Sequence, residues 1–87
     1  MARPANPYPW LDDAQYDAVV NGCYVKSSFS SGNTACLSFT VADGLIGIQD
    51  DKLPAAERKA RTLIVDRHAM AAFIAGVKNG DFDHLVE

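Results

Sequence analysis

One hairpin constrains the fold of this chain more than any other segment does. Large apolar residues alternate with smaller or polar ones in segment 35–41, and a second apolar segment, 45–50, follows after Asp43-Gly44. Alternation with a period of two is typical of a strand with one buried side. Asp-Gly is a preferred pair for a tight type I′ turn. The sequence therefore predicts two antiparallel strands joined at Asp43-Gly44.

The length of this turn also fixes the register of the hairpin. A two-residue turn at Asp43-Gly44 places Phe39 opposite Ile48, and Thr40 opposite Gly47. Because partners across a ladder share a face, the large apolar side chains gather on one side of the hairpin. We predict that Phe39 and Ile48 lie on its buried face.

Two shorter segments and a helix complete the predicted domain. Segments 25–29 and 62–65 have the composition of strands, and the polar segment 51–61 is predicted as a loop. Residues 66–80 favour a helix, with Asp66 as its N-cap and Gly80 as its C-terminal stop. Its apolar residues recur at the spacing of one helical face. They are Met70, Phe73, Ile74 and Val77.

The N-terminal part of the chain differs in character from the rest. Residues 1–11 carry three of the four prolines and predict an extended arm. Asp12 or Asp13 is a candidate N-cap for a short helix that runs to about Val20. Asn21-Gly22 then ends it.

Together these patterns predict an α+β fold. We expect a small antiparallel sheet of three or four strands with the C-terminal helix packed on one face. The organisation has three parts: an arm with a short helix at 1–23, a domain at 24–83 and a tail at 84–87. A single amphipathic helix cannot cover both faces of a sheet, so a homodimer is expected.

The composition excludes several classes of protein. The 87 residues carry a net charge of −3 and are 48% hydrophobic, which suits a folded domain and does not favour nucleic acid or anionic lipid. Apolar runs are far shorter than the roughly 20 residues that span a bilayer. The N-terminus lacks the apolar core of a signal peptide. We expect a cytoplasmic protein, with Cys23 and Cys36 as free thiols.

The sequence offers no pattern for catalysis or for a cofactor. His68 and His84 have no carboxylate or nucleophile at short spacing, and neither cysteine belongs to a metal-binding motif. We therefore predict a protein that is not an enzyme and has neither metal nor cofactor.

Two groups of residues are candidates for binding a partner. Trp10 and Tyr16 lie in the N-terminal arm, and aromatic residues are enriched at interface centres. The alternative, which is slightly favoured, is that Trp10 fills the small core of this protein itself. Arg58, Lys59 and Arg61 form the one basic cluster. The cluster supports an alternative function, direct binding of nucleic acid by the loop 52–61. The acidic residues among these bases make it the less favoured interpretation.

Three segments in order resemble a known family. Segment 24–30 reads YVKSSFS and precedes Asn33 and Cys36, segment 44–54 reads GLIGIQDDKLP, and segment 71–82 reads AAFIAGVKNGDF. This arrangement resembles the domain-of-unknown-function family 397, the BldB-like regulatory proteins of actinobacteria. The resemblance covers about residues 24–83.

The resemblance implies a regulatory function without enzyme activity or cofactor. Members of that family are small, and many are encoded beside helix-turn-helix transcription regulators, of which they are thought to be partners or antagonists. Some affect development. We therefore expect this chain to bind a helix-turn-helix regulatory protein and to change its activity.

Overall fold

The computed structural model describes residues 5–30 and 36–87, and within them a four-stranded sheet with helices. The strands are β1 (Val25–Lys26), β2 (Leu37–Ala42), β3 (Leu45–Asp50) and β4 (Leu63–Asp66). The helices are α1 (Asp13–Val20), α2 (Ala55–Ala60) and α3 (Arg67–Lys78), followed by a 3-10 turn at Asp83–Val86. The sheet is antiparallel in the order β1-β2-β3-β4. The predicted α+β class is confirmed, with a C-terminal helix and a short N-terminal helix.

The predicted hairpin register is confirmed. Phe39 pairs with Ile48, and Thr40 pairs with Gly47. The turn has positive φ at both central residues, 55° at Asp43 and 75° at Gly44, as a type I′ turn requires. Residue 35, the first of the predicted strand, lies outside the described residues.

The helix ends also follow the sequence signals. The Asp12 carboxylate accepts from the backbone N–H of Gln15 at 2.8 Å, and the Gln15 side chain completes a capping box. The Asp66 carboxylate accepts from the N–H of Ala69 at 2.8 Å. Gly80 takes a φ of 78°, the left-handed conformation that ends many helices.

Two boundaries differ from the prediction. Strand β1 stops at Lys26 because the chain turns at once: the N–H of Ser30 donates to the Ser27 carbonyl at 2.9 Å, and the Ser27 hydroxyl accepts from Phe29 N–H. Residues 55–60, predicted as part of a loop, form α2. Pro54 directly precedes this run of good helix formers, and a proline is well tolerated at a helix start.

The core lies between α1 and one face of the sheet, which we call the first face. Its buried apolar residues come from the arm, α1, β3 and β4: Leu11, Tyr16, Val19, Val20, Leu45 and Ile64. Gly47 lets α1 approach closely, because a Cβ there would lie 2.6 Å from Val19 Cγ1 and 2.3 Å from the Tyr24 hydroxyl. The N-terminal segment thus supplies four of these six core residues.

The predicted burial of the hairpin is wrong in one respect. Phe39 and Ile48 share a face, as expected, yet that face is only partly covered. The side buried under α1 carries Thr40 and Gly47 instead. The register was predicted from the turn, whereas burial depends on which side α1 occupies.

Candidate interaction surface

The opposite side of the sheet, the second face, is made of apolar side chains. Register fixes its rows, since paired residues point to the same side. Val25, Phe39, Ile48 and Leu63 form one row, and Val41, Ile46 and Val65 form the next. Leu37 pairs with Asp50 at the margin, and Asp50 is the one charged residue among these strand positions.

Much of this apolar surface is open to solvent. Val41 is 73% exposed, Val25 is 68% exposed and Leu37 is 56% exposed. Ile46 is buried, at 8%, and Phe39, Ile48 and Val65 are half-buried. Single exposed apolar residues are ordinary on a protein surface, but contiguous rows of them mark an interaction site.

Helix α3 packs beside β3 and β4 and covers the second face only in part. Asp66 ends β4 and caps α3, so no loop separates the strand from the helix. The apolar stripe on α3 is about half exposed, with Phe73 at 48%, Ile74 at 45% and Val77 at 47%. Phe73, which belongs to the stripe predicted to pack on the sheet, is thus not fully buried.

A groove of about 690 Å³ runs between α3 and the sheet. Its sheet side is formed mainly by Val25, Phe39, Val41 and Ile46, and its helix side by Met70, Phe73 and Ile74. Cys23, an exposed residue with a free thiol, also lines the groove. The groove offers a binding partner apolar contacts on both sides.

The C-terminal segment braces α3. Phe82 folds back onto the helix, with its ring centroid 5.6 Å from that of Phe73 and the two planes at 29°. Gly76 makes room for this ring, because a Cβ there would lie 3.0 Å from Phe82 Cε2. Phe82 therefore steadies the exposed face of α3 without shielding it.

The binding residues predicted from the sequence do not come together in one surface. Trp10 is 54% exposed and packs edge-on against Tyr8, with ring centroids 5.6 Å apart. Tyr16 is 1% exposed in the core, so a partner cannot reach its side chain and its assignment to a binding site is wrong. Burial also raises the pKa of the Tyr16 phenol above its ordinary value. The sequence pattern did not distinguish an interface aromatic from a core aromatic.

The basic residues occupy another place in the fold. Arg58 and Lys59 are half-buried beside the C-terminal end of α1, in a cleft of about 400 Å³ that Asp51 and Gln49 also line. Arg61 pairs with Glu57, its Nε 3.3 Å from Oε2. A nucleic-acid site needs several cations on one face, whereas here Asp51 lines the same cleft and Glu57 pairs with Arg61.

The candidate metal ligands of the sequence do not come together within residues 5–30 and 36–87. No cluster of three or more His, Cys, Asp or Glu side chains is arranged to hold a metal ion in this part of the chain. His68 and His84 are exposed, Cys23 is exposed and Cys36 is half-buried.

The second face was missed because alternation alone shows that two faces differ and leaves open which one is covered. One signal was available: a glycine inside a strand marks a close approach of other chain segments. Gly47 points toward α1, away from the large apolar residues of the hairpin.

No helix in the described ranges is long and apolar enough to cross a membrane. Comparisons with protein-family models, curated proteins and solved structures gave no match.

Proposed function

We propose that this chain is a small regulatory protein that acts by binding another protein through its second face, without catalytic chemistry of its own. The partner class that we propose is a helix-turn-helix transcription regulator, as the resemblance to the BldB-like family implies. The observation that supports binding is the exposed apolar surface formed by the strand rows and the α3 stripe.

The composition of the face suits a protein partner. Interface centres are depleted in charge and rich in aromatic residues and methionine, and the groove offers Phe39, Phe73 and Met70. An amphipathic helix that lies in such a groove makes contacts at i, i+3, i+4 and i+7. Helices of a DNA-binding regulator can supply a stripe of this kind.

The overall charge is compatible with that partner. The chain carries a net charge of −3, whereas DNA-binding proteins present basic surfaces. Complementary charge speeds association, while apolar anchors supply most of the affinity. We therefore expect salt to have a modest effect on binding, and substitutions on the second face to have a large one.

The test is a calorimetric titration of this chain with a helix-turn-helix regulator encoded beside its gene. The second-face variant is Val41→Asp, which places a charge at a 73% exposed position. The matched control is Ala14→Asp, an equal change of charge at an exposed position of α1, on the far side of the sheet.

We expect wild type and Ala14→Asp to bind the regulator and Val41→Asp to lose at least about 100-fold in affinity. Equal affinity of all three, or no binding by wild type, would contradict the proposal. A salt-dependent shift of DNA by this chain alone would instead support direct binding of nucleic acid.

A further inference from the structure

We propose that the polar cleft beside the C-terminal end of α1 binds a small phosphate ester that also carries hydroxyl groups, such as a sugar phosphate. The cleft measures about 400 Å³, within the range of about 300–1,000 Å³ that is common for small-molecule sites. It is separate from the groove between α3 and the second face, since the two linings share only Gly22. The proposal is therefore independent of the proposed function.

The first observation is a pair of cations that lack counter-ions. Arg58 and Lys59, neighbours on α2, both line the cleft and are both half-buried. Among the described residues, no carboxylate forms an ion pair with either of them, whereas Arg61 on the same helix pairs with Glu57. A charge that is partly removed from water is costly unless it is paired, so this arrangement favours an anion in the cleft.

The chemistry of these two cations suits a phosphate group. The guanidinium of Arg58 can donate two parallel hydrogen bonds to an oxyanion, and Lys59 adds a compact positive charge. A phosphate monoester carries a charge of about −1.5 to −2 near pH 7 and three acceptor oxygens, whereas a carboxylate carries a single charge. Two cations therefore match a phosphate monoester better than they match a carboxylate.

The second observation is an unused acceptor in the same cleft. Gln49 is 5% exposed, and its Nε2 donates to the Val20 carbonyl and to Thr62 Oγ1, which fixes the orientation of the amide. Its Oε1 accepts no hydrogen bond from the described part of the chain, in which no fully buried side-chain oxygen lacks a partner. Oε1 is therefore accessible, and since Gln49 lines the cleft, it presents this acceptor to a ligand.

Asp51 supplies a second acceptor, which is fixed by two hydrogen bonds. The Ser38 hydroxyl donates to Asp51 Oδ1 at 2.7 Å, and the N–H of Asp51 donates to the Cys36 carbonyl at 2.8 Å. A carboxylate repels a phosphate group but accepts a hydrogen bond from a hydroxyl group. The cleft thus combines cations for an oxyanion with acceptors for hydroxyl groups, and a phosphate ester that carries hydroxyls satisfies both.

An NMR titration of the full chain with ribose 5-phosphate tests the site, with inorganic phosphate, gluconate and ribose as comparison ligands. We expect ribose 5-phosphate to bind with a dissociation constant of about 1 mM or tighter, and to shift the amide signals of residues that line the cleft. Inorganic phosphate, which lacks the hydroxyls, and gluconate, which lacks the phosphate, should each bind at least about 5-fold more weakly. Ribose alone should not bind.

Two outcomes of this titration would overturn the proposal. The absence of binding by ribose 5-phosphate up to about 10 mM would remove the site. Gluconate that binds as tightly as ribose 5-phosphate would remove the assignment to phosphate esters.

Arg58→Gln removes one cation from the cleft. Its matched control is Arg61→Gln, an equal change of charge on the same helix at the residue that pairs with Glu57. Arg58→Gln should weaken binding of ribose 5-phosphate at least about 10-fold, and Arg61→Gln should change it less than about 2-fold. Circular dichroism shows whether each variant is folded. Equal effects at the two positions would mean diffuse attraction by net charge and would overturn the site.

Arg58→Lys is the second variant at this position, and it decides the matter if Arg58→Gln does not fold. Lysine keeps the charge but cannot donate two parallel hydrogen bonds to one phosphate group. We expect Arg58→Lys to weaken binding of ribose 5-phosphate by a smaller factor than Arg58→Gln, and unchanged affinity would contradict a direct contact.

Asp51→Asn gives a readout that a merely structural cleft would not produce. Asparagine keeps an oxygen for the Ser38 hydroxyl and removes the negative charge. Inorganic phosphate should then bind at least about 3-fold more tightly, because a like charge is gone. Ribose 5-phosphate should gain less, because its hydroxyl groups lose a charged acceptor. If the ratio of the two affinities were the same in Asp51→Asn as in wild type, Asp51 would not contact the hydroxyl groups and the assignment to a hydroxyl-bearing ligand would be overturned.

Discussion

The two faces of the sheet reverse the usual relation between polarity and burial. The first face carries Ser38, Thr40 and Gln49 and is buried, whereas the second carries Val25 and Val41 and is exposed. Both faces belong to the same strands, so intrinsic strand preference cannot explain the difference. The difference shows that the position of α1 decides which face of the sheet is buried.

The polar side chains of the first face are tolerated because each has a hydrogen-bond partner. The Thr40 hydroxyl donates to the Cys23 carbonyl at 2.8 Å, and the Ser38 hydroxyl donates to Asp51 Oδ1 at 2.7 Å. Among the described residues, no buried side-chain nitrogen or oxygen lacks a partner. Burial of satisfied polar groups costs little, whereas an unsatisfied one costs about 1–3 kcal/mol.

The arm joins this buried side to the edge of the sheet. The N–H of Ile64 on β4 donates to the Tyr8 hydroxyl oxygen at 2.8 Å. Asn6 holds the arm in place, because its Oδ1 accepts from the N–H of Tyr8 and its Nδ2 donates to the Leu11 carbonyl at 2.7 Å. An unpaired edge strand is open to further pairing. Tyr8 occupies part of the β4 edge, so this part of the edge is not open to a further strand.

The sharpest test of the contrast uses two neighbours on β4. Ile64 is 2% exposed on the first face, and Leu63 is 51% exposed on the second. Ile64→Ala should lower the free energy of unfolding by about 2–5 kcal/mol, because it leaves a cavity in the core. Leu63→Ala should lower it by less than about 1 kcal/mol.

Both variants are best measured by urea unfolding in the Val41→Asp background, so that the homodimer expected from the sequence does not contribute. Equal losses of stability at the two positions would show that the second face is covered within the single chain. That result would remove the basis of the proposed binding surface.

A smaller effect is expected at the buried amide of Gln49. Its Nε2 donates to the Val20 carbonyl at 3.2 Å and to Thr62 Oγ1 at 3.0 Å, which ties the end of α1 to the sheet. Gln49→Leu keeps the approximate volume but leaves the Val20 carbonyl without this donor. We expect a loss of about 1–3 kcal/mol.

The same urea experiment measures this loss, with Gln49→Glu as a second variant. The carboxylate cannot donate to the carbonyl and is buried, so Gln49→Glu should be at least as destabilising at neutral pH. An unchanged midpoint for Gln49→Leu would mean that the amide contributes nothing net to the packing of α1.

A still smaller effect on folding is expected at Phe73. The ring is 48% exposed and contacts Phe82, so Phe73→Ala should lower the free energy of unfolding of the Val41→Asp protein by about 1 kcal/mol or less. In the otherwise wild-type chain, the same substitution should weaken regulator binding. If Phe73→Ala lowered the free energy of unfolding of the Val41→Asp protein by about 3–5 kcal/mol, Phe73 would have to be a buried core residue.

The parts of the fold that were predictable are those set by nearby residues. The hairpin depends on Asp43-Gly44, and the ends of α3 depend on Asp66 and Gly80, all within a few positions of the structure that they determine. Helix α2 was missed because its charged composition resembles a polar loop, although its residues are good helix formers.

The location of the core was not predictable in the same way. Tyr16 and Val19 lie in a helix that the prediction assigned to an arm outside the domain, yet they fill the core against β3 and β4. The residues within a strand and its turn do not indicate which face of the sheet a helix from another part of the chain will cover. The interaction surface follows from that choice, and it became visible only with the three-dimensional arrangement.

The smallest effect at neutral pH is expected at Tyr24, which lies against the first face. Its hydroxyl donates to the Val19 carbonyl at 2.9 Å, and burial raises the pKa of this phenol to about 12. A raised pKa in the folded state means that the associated stability is complete below the unfolded pKa of about 10 and is lost as pH rises toward 12. The contribution of Tyr24 to the melting temperature should therefore be constant between about pH 7 and 9, where this phenol does not titrate. The melting temperature should fall between about pH 10 and 12. Tyr24→Phe removes the titrating group and should make that fall shallower, with Tyr8→Phe as the matched control that leaves Tyr24 in place. An equally steep fall in Tyr24→Phe would show that alkaline unfolding begins elsewhere, for example at the buried phenol of Tyr16, whose pKa is also raised.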